Sequence, residues 1–467
     1  MKTLLDAYKL LNEIIRNKAY ANIALDKAVA PPAVRRIVLG VLEKNFELDA
    51  RLNSLIKTSP GGAVRLILKL GAYCILYMDS MPVYAVINES VELSKSLGKG
   101  GTAGFVNAVL KKFAADGRRT EACDDTVKYG KPKWIIDAIK AEYPAAEAEK
   151  ILSAESDGRV HFRFNGFAYD DFAGYAEAAA DSTPGGRAAS DKDKKALIEI
   201  AFLRSKGISA ERTLVGGFAA GHTAALKPLF NAGIITFQSP SSMLAVLAAD
   251  IFPGARILDV CAAPGGKAVF AAELAGKYGS VVACDIRAHR VKLIKSYASR
   301  MRCSDKIDIR EADAAAFNPE FEKNFDFVFA DVPCSGLGVM REKADIVLNK
   351  QADDIESLSR LQYAILCNAS RCVKPGGILL YSTCTLLNRE NGATIRKFLA
   401  ENKDFSSVPA AFDTESLPVS EISAPQSART AGTSEPAAKS GNAPFALQIL
   451  PENGYDGFFI ARLRRAL

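Results

Sequence analysis

Residues 258–267 read LDVCAAPGGK, a short apolar run that ends in a turn of small residues. The apolar residues are typical of a buried strand. The glycines at 265 and 266 let the backbone approach a ligand closely before a helix begins. The spacing is neither GxGxxG nor the GKS/T ending of a phosphate-binding P-loop. The stretch therefore predicts the strand–turn–helix unit of an α/β fold, with a ligand at its turn.

Alternating strand and helix patterns surround this unit from about residue 236 onward. Such alternation predicts a largely parallel, Rossmann-like sheet with helices on both faces. Segments 446–450 and 457–463 predict an antiparallel hairpin at a sheet edge. Residues 419–443 are rich in Ala, Ser, Thr, Pro and Gly, and we expect a disordered surface insertion there. The predicted strands are 256–260, 281–285, 307–310, 325–330 and 378–382, and the predicted helices are 268–274, 288–300, 355–372 and 391–401.

Two further domains are expected before this one, which makes a multidomain protein. Apolar residues recur at i, i+3 and i+4 through residues 1–143, and this spacing predicts an all-α bundle. Residues 144–235 combine a strand pattern at 160–164 with a helix pattern at 194–204. They predict a small α+β domain packed on an α/β domain at 236–467.

The positive charge is concentrated at the N-terminal end. Residues 1–143 carry 22 Lys and Arg against 15 Asp and Glu, so they hold the whole net charge of +7 and the remainder is neutral. A basic surface favours a polyanion such as nucleic acid, because cation–phosphate contacts release counterions. An ordinary solvated helix surface is the alternative interpretation.

Composition narrows the class of protein. The sequence contains no run of eighteen apolar residues, so we predict no membrane span. The start of the chain is charged, which is unlike a secretory signal. The nine scattered cysteines favour free thiols in a reducing, cytoplasmic compartment over a disulfide scaffold. With three histidines and no CxxC pair, we expect no metal site.

Acidic residues at the ends of the next two strands complete a nucleoside-binding pattern. Asp285 ends the second strand, where a carboxylate can accept hydrogen bonds from ribose hydroxyls. Asp313 follows the third strand and could bind an adenine amino group. A generic turn with surface acids is the alternative, which the combined pattern disfavours.

Two cysteines follow buried strands, Cys334 in DVPCSG and Cys384 in YSTC. A nucleophilic thiol beside a nucleoside cofactor suits the alkylation of an unreactive pyrimidine carbon. Addition of a thiolate to C6 of cytosine makes C5 able to attack a methyl group, and the thiol is later expelled. An acid near N3 would stabilise the adduct, and Asp331 is the candidate. We interpret six other cysteines as small buried hydrophobes: Cys74, Cys123, Cys284, Cys303, Cys367 and Cys372.

These motifs resemble the NOL1/NOP2/Sun family of S-adenosylmethionine-dependent RNA cytosine-5 methyltransferases. The resemblance extends over roughly residues 150–467 and includes RFN at 163–165 and DGFF at 456–459. It implies that Cys384 is the nucleophile and that Cys334 assists product release. The resemblance assigns cofactor binding to Cys261, Ala262, Ala263, Pro264, Gly265, Gly266, Lys267, Asp285, Asp313 and Asp331.

The N-terminal region looks like a NusB-type RNA-binding domain, on the residues around Tyr20, Asp49 and FVNAVLK at 105–111. This pairing of domains is the architecture of bacterial 16S ribosomal RNA methyltransferases. It implies 16S ribosomal RNA as the partner and 5-methylcytosine as the product. We expect a monomer.

One position departs from the family pattern. Ser239 follows Gln238 where the family usually has Asp, which leaves open the contact that the Asp would make. Two other functions also stay open. The same chemistry could act on transfer RNA or another ribosomal cytosine, or the chain could be a non-catalytic RNA-binding assembly factor.

Overall fold

The computed structural model describes residues 2–17, 21–116, 124–175, 191–221, 224–412, 414, 416–422 and 446–467. The chain forms two compact units. The first, the helical unit, is Met1–Ala154 with Met340–Ala352, and the second, the sheet unit, is Glu155–Val339 with Asp353–Leu467. Within the described part of the chain, no helix is long and apolar enough to cross a membrane.

The helical unit is all α, as the apolar periodicity predicts. Leu4, Leu11 and Ile14 lie on one face of the first helix and are almost fully buried in the unit's core. Pro31 and Pro32 begin the third helix, where a missing backbone N–H costs nothing. The helices are Lys2–Arg16, Ala21–Lys27, Pro32–Glu43, Asn45–Asn53, Gly62–Tyr77, Val83–Ser96, Ala103–Asp116, Asp125–Tyr129, Lys133–Glu142 and Ala145–Ser153.

A distant segment of the chain completes this unit. The helix Ala344–Asn349 packs on the helices Lys2–Arg16 and Pro32–Glu43, and Leu348 contacts the core. The chain therefore leaves the sheet unit after Val339 and returns to it at Asp353. No pattern that we identified in the sequence signals this excursion.

A small antiparallel sheet opens the sheet unit. Its strands are β1 (Val160–Phe164), β2 (Glu211–Arg212), β3 (Phe218–Ala220) and β4 (Ile235–Phe237), in the order β2-β3-β1-β4. The helix Asp191–Ser205 adds Phe202 to its aromatic core. The predicted strand at 160–164 and helix at 194–204 are confirmed.

A nine-stranded sheet forms the rest of the sheet unit. Strands β5 to β9 are parallel neighbours in the order β9-β8-β5-β6-β7, so the predicted parallel sheet is confirmed. The strand predicted at 378–382 is longer in the structure, where it covers Val373–Thr383. The strands are β5 (Arg256–Asp259), β6 (Ser280–Asp285), β7 (Ile307–Glu311), β8 (Phe325–Asp331), β9 (Val373–Thr383), β10 (Phe405–Ser407), β11 (Val419–Ile422), β12 (Ala446–Ile449) and β13 (Phe458–Arg465).

The helices of this unit include all four that were predicted, with ends within a few residues. The described α-helices after β4 in the sheet unit are Pro240–Leu247, Gly266–Ala275, Ala288–Arg300, Asp354–Cys372 and Gly392–Glu401, and Lys227–Asn231 precedes β4. Apolar residues from these helices and from both faces of the sheet form two core clusters.

The C-terminal strands refine two predictions. β12 and β13 form the predicted antiparallel hairpin, but β13 also pairs with β9 and β12 with β11, so the hairpin is not at the edge of the sheet. Residues 419–422 belong to β11, so the expectation of disorder is wrong there, because their backbone pairs with β12. The remaining residues of that expected insertion, 423–443, lie outside the described residues, as do Tyr20 and Cys123.

Asn165 joins the small sheet to the large one. Its side chain is fully buried and donates to the carbonyl oxygens of Gly233 (2.8 Å) and Met301 (3.0 Å), and it accepts from the backbone N–H of Phe167. The Asn of the RFN motif therefore holds two layers of one unit together.

We predict that Asn165→Ala lowers the free energy of unfolding by about 3 kcal/mol, because it leaves buried backbone groups without partners. Urea denaturation followed by circular dichroism measures the change. The exposed Asn231→Ala is the control and should change stability by no more than about 0.5 kcal/mol. Equal effects of the two variants would contradict the prediction.

Candidate active site

The carboxyl ends of the parallel strands bring the predicted site residues to one edge of the sheet. In the pairing of β8 with β9, Asp331 lies opposite Ser382. In the pairing of β5 with its neighbours, Asp259 lies opposite Ala283 and Phe329. Chemistry-bearing residues from four strands therefore meet where open α/β sheets bind ligands.

The turn after β5 has the backbone that its sequence predicts. Gly265 adopts a φ of +118°, which side chains disfavour, and a Cβ atom there would lie 3.4 Å from Ile294 Cα and Tyr297 Cβ. The turn is tied to β6 by the N–H of Ala262, which donates to the carbonyl oxygen of Cys284 (2.8 Å). Arg290 donates to the carbonyl oxygen of Ala263 (3.1 Å). The turn is thus a fixed cradle that leads into a helix N-terminus.

Three carboxylates border this cradle. Asp285 is buried, and its Oδ2 lies 3.2 Å from Arg290 Nη1 but makes no hydrogen bond among the described residues. Asp313 is exposed, and its Oδ1 accepts from the N–H of Ala315 (2.9 Å). Asp259 is almost fully buried; burial first, and the nearby Asp331 charge second, raise its pKa to about 7. The acceptor of Asp285 is available to a hydroxyl-bearing ligand, which fits the predicted nucleoside.

The two cysteines meet beside this cradle. Cys334 Sγ and Cys384 Sγ are 3.3 Å apart, and both thiols are half-buried and free of disulfides. The hydrogen bond to Cys384 raises the pKa of the Cys334 thiol, and burial and the charges of Cys384 and Glu390 add to the effect. The two thiols therefore form a hydrogen-bonded pair, in which a thiol that keeps its proton can donate to a neighbour that ionises.

An ion pair lies against the thiols. Lys267 Nζ donates to Asp331 Oδ2 (2.6 Å), and Ser382 Oγ donates to Asp331 Oδ1 (2.8 Å). Burial disfavours the charged form of Lys267, but the charge of Asp331 and its hydrogen bond outweigh burial and raise the pKa of the ammonium. Asp331, expected as an acid from the sequence, is here an acceptor from two donors.

The backbone of the Cys384 segment is fixed by a glycine contact. The N–H of Gly338 donates to the carbonyl oxygen of Cys384, and the N–H of Gly457 donates to the carbonyl oxygen of Gly338, both at 2.9 Å. A Cβ atom on Gly338 would lie 1.8 Å from the carbonyl oxygen of Gly457. The two cysteine loops and the DGFF segment therefore touch backbone to backbone, which only glycine allows.

Two residues singled out in the sequence make structural contacts. Arg163 of the RFN motif is buried, pairs with Glu273 (2.7 Å) and donates to Gln238 (2.7 Å), so it links the small sheet to the helix Gly266–Ala275. Ser239 caps the helix Pro240–Leu247 by accepting from the N–H of Ser242 (3.4 Å). Ser and Asp are both favoured at helix N-caps, so Ser239 can fill the capping position as an Asp would.

Sequence reasoning missed the buried polar residues behind the thiols. Glu390 and Asn391 follow Cys384 by six and seven residues and are fully buried. Asn391 accepts from Thr383 Oγ1 (2.6 Å) and donates to the carbonyl oxygen of Thr385 (3.1 Å), so it holds both neighbours of Cys384. Two polar residues just before an apolar helix are typical of an ordinary helix start, so nothing in the sequence indicated that these two are buried.

Comparison with known proteins gives consistent results for both units. The family model described as 16S rRNA methyltransferase RsmB/F matches residues 246–464, and the NusB family model matches residues 1–115. A relative from Bacillus subtilis (strain 168), named probable ribosomal RNA small subunit methyltransferase B, is 32% identical over 98% of each chain.

Two solved structures share the fold. The crystal structure of PH0851 matches 99% of this chain and 97% of its own, with a TM-score of 0.74 and 23% identity. The structure of NSun6 from Pyrococcus horikoshii with SFG matches 72% of this chain and 98% of its own, with a TM-score of 0.53 and 18% identity.

The buried carboxyl of Asp259 makes stability depend on pH. Its folded-state pKa of about 7 exceeds the ordinary aspartate value of 3.8, so the carboxylate takes up a proton on folding. This contribution to stability is complete below pH 3.8 and is lost as the pH rises through about 7. We predict that Asp259→Asn, which cannot ionise, gains about 2–3 kcal/mol over the wild type between pH 5 and pH 8.

Urea denaturation of both proteins at pH 5, 6, 7 and 8 without ligand measures this difference. The other carboxylates are common to both proteins, so their contributions cancel. If the free energies of unfolding of the two proteins changed with pH in parallel, the raised pKa of Asp259 would be contradicted.

Proposed function

We propose that this chain, which belongs to the 16S rRNA methyltransferase RsmB/F family, methylates C5 of a cytosine in 16S ribosomal RNA through a covalent cysteine adduct. The observation that carries the proposal is the pair of thiols 3.3 Å apart beside the Lys267–Asp331 ion pair. A methyltransferase that acted on an already nucleophilic nitrogen or oxygen would not need a thiol nucleophile. The reaction would take place in the cytoplasm.

The cofactor of this family is S-adenosylmethionine, which supplies an electrophilic methyl group when bound. In our proposal Cys261–Lys267 form its cradle, with Asp285 at the ribose and Asp313 at the adenine. The free acceptor of buried Asp285 and the cradle at Gly265 support this assignment. Asp331 lies between the cradle and the thiols.

Cys384 would attack the base. Its thiolate forms a bond to C6 of cytosine, and the electron pair of the C5–C6 double bond moves toward N3 and the carbonyl. A proton delivered at N3 neutralises that charge. Lys267 Nζ, held by Asp331, carries such protons, whereas both oxygens of Asp331 already accept hydrogen bonds. This assigns the acid role to the Lys267–Asp331 pair rather than to Asp331 alone.

Cys334 would complete the reaction. After C5 has been methylated, a water molecule takes the C5 proton, the electron pair of the C5–H bond re-forms the C5–C6 double bond, and the bond between C6 and the Cys384 sulfur breaks to release the thiolate. The Cys334 sulfur lies within hydrogen-bonding distance of Cys384, so its proton can stabilise the departing thiolate. The target base must leave its stack to reach this site, as in other enzymes that modify bases.

We predict that Cys384→Ala abolishes methyl transfer and retains cofactor binding, because only the nucleophile is lost. Tritium transfer from labelled S-adenosylmethionine to unmodified 16S RNA measures activity, and calorimetry measures binding. Cys367→Ala, a half-buried cysteine outside the site, is the control. Normal turnover by Cys384→Ala would refute the covalent mechanism.

The same assay separates the competing functions. Transfer to transfer RNA and not to 16S RNA would change the target, and no transfer by the wild type would favour the assembly-factor alternative. Bisulfite mapping of ribosomal RNA from a deletion strain then locates the modified cytosine.

We predict that Cys334→Ala accumulates a covalent protein–RNA adduct, because the adduct forms but its leaving thiolate loses a hydrogen-bond donor. A band of lower mobility on a denaturing gel detects it. The double variant Cys334→Ala, Cys384→Ala should show no such band. An RNA-bound Cys334→Ala protein without adduct would contradict the release role.

A further inference from the structure

Glu390 is a fully buried carboxylate behind the two thiols. Its Oε1 accepts from the N–H of Ser335 (2.8 Å) and from Gln362 Nε2 (2.9 Å). Its Oε2 lies within hydrogen-bonding distance of Ser335 Oγ and of Thr385 Oγ1 (3.1 Å). A buried carboxylate is costly unless its lone pairs are satisfied, and an N–H group, an amide and a hydroxyl donate to this one.

The partners of Glu390 are the immediate neighbours of the cysteines. Ser335 follows Cys334, and Thr385 follows Cys384. Gln362 also donates to the carbonyl oxygen of Pro333 (3.0 Å), the residue before Cys334. One carboxylate therefore joins two loops that are about fifty residues apart in the sequence.

The cluster requires an acceptor and not merely a polar residue. Ser335 Oγ and Thr385 Oγ1 are 2.6 Å apart, so one hydroxyl donates to the other. The hydroxyl that accepts then donates its own proton to Glu390. A glutamine at position 390 would point its side-chain N–H groups at partners that are themselves hydrogen-bond donors. Glutamine has nearly the shape of glutamate, but these unfavourable donor–donor contacts would push the two loops apart.

We propose that Glu390 is a positioning residue that holds the Cys334 thiol within hydrogen-bonding distance of Cys384. The inference rests on the proposed function, because the spacing of the thiols matters only if they act together on a substrate. Glu390 does not touch the reacting atoms; it acts through Ser335 and Thr385. Its negative charge also contributes to the raised pKa of Cys334, after the hydrogen bond to Cys384 and burial.

The test measures thiol reactivity without RNA. Alkylation of Cys384 by iodoacetamide, followed by mass spectrometry across a pH series, reports the fraction of thiolate. In Glu390→Gln we expect the midpoint of this profile to move up by about one pH unit, because the loss of one charge-assisted hydrogen bond to the thiolate outweighs the loss of the Glu390 charge, which by itself would lower the midpoint. Glu401→Gln, an exposed carboxylate at the end of the next helix, is the control and should leave the profile unchanged.

Two further measurements separate positioning from simple loss of structure. Thr385→Val removes one donor and keeps the side-chain shape, so it should shift the profile in the same direction by a smaller amount even if Glu390→Gln does not fold. In the methylation assay, Glu390→Gln should lower turnover at least tenfold, retain cofactor binding and accumulate the RNA adduct that we predict for Cys334→Ala.

The outcomes distinguish this inference from the proposed function. A shifted alkylation profile supports the positioning role even if the wild type transfers no methyl group, a result that would refute the proposed function alone. An unshifted profile in both Glu390→Gln and Thr385→Val, with an active wild type, would overturn the positioning role and leave the proposed function standing.

Discussion

The pairing of β8 with β9 is the constraint on which the site depends. Asp331 lies opposite Ser382 at the carboxyl ends of these neighbouring parallel strands, so the loops that carry Cys334 and Cys384 begin at the same edge. A shift of one residue in this register would turn every side chain of one strand to the other face of the sheet. The ion pair, the thiol pair and the glycine contact would then all be lost together.

Among the cysteines that the structure describes, Cys334 and Cys384 differ from the others in their environment. Burial raises the pKa of Cys74, Cys284 and Cys303 to about 12, so these thiols stay protonated. Cys334 and Cys384 are the pair in hydrogen-bonding contact with each other, and the proton that one keeps can stabilise the charge on the other. In the proposed mechanism, reactivity would come from the arrangement of the two thiols and not from the exposure of either one.

The order of the elements could be predicted from the sequence, but the polar contacts behind the site could not. Apolar patterns identified β5 to β9, because β7 alternates apolar and charged residues and the other four strands contain short apolar runs. The motif cysteines and Lys267 stood out by chemistry. Glu390 did not, because its importance lies in contacts with Ser335, Gln362 and Thr385, and no spacing in the sequence encodes contacts made across loops.

The excursion of residues 340–352 into the helical unit has a consequence for synthesis of the chain. The ribosome releases residues from the N-terminus onward, so the helices of 1–154 emerge without the helix Ala344–Asn349 that packs on two of them. The unit made first is therefore completed only after the stretch 155–339 has been translated. A single proteolytic cut after Ala154 would divide the helical unit between two fragments, because residues 340–352 would stay on the larger fragment and contact residues 1–154 only through non-covalent packing.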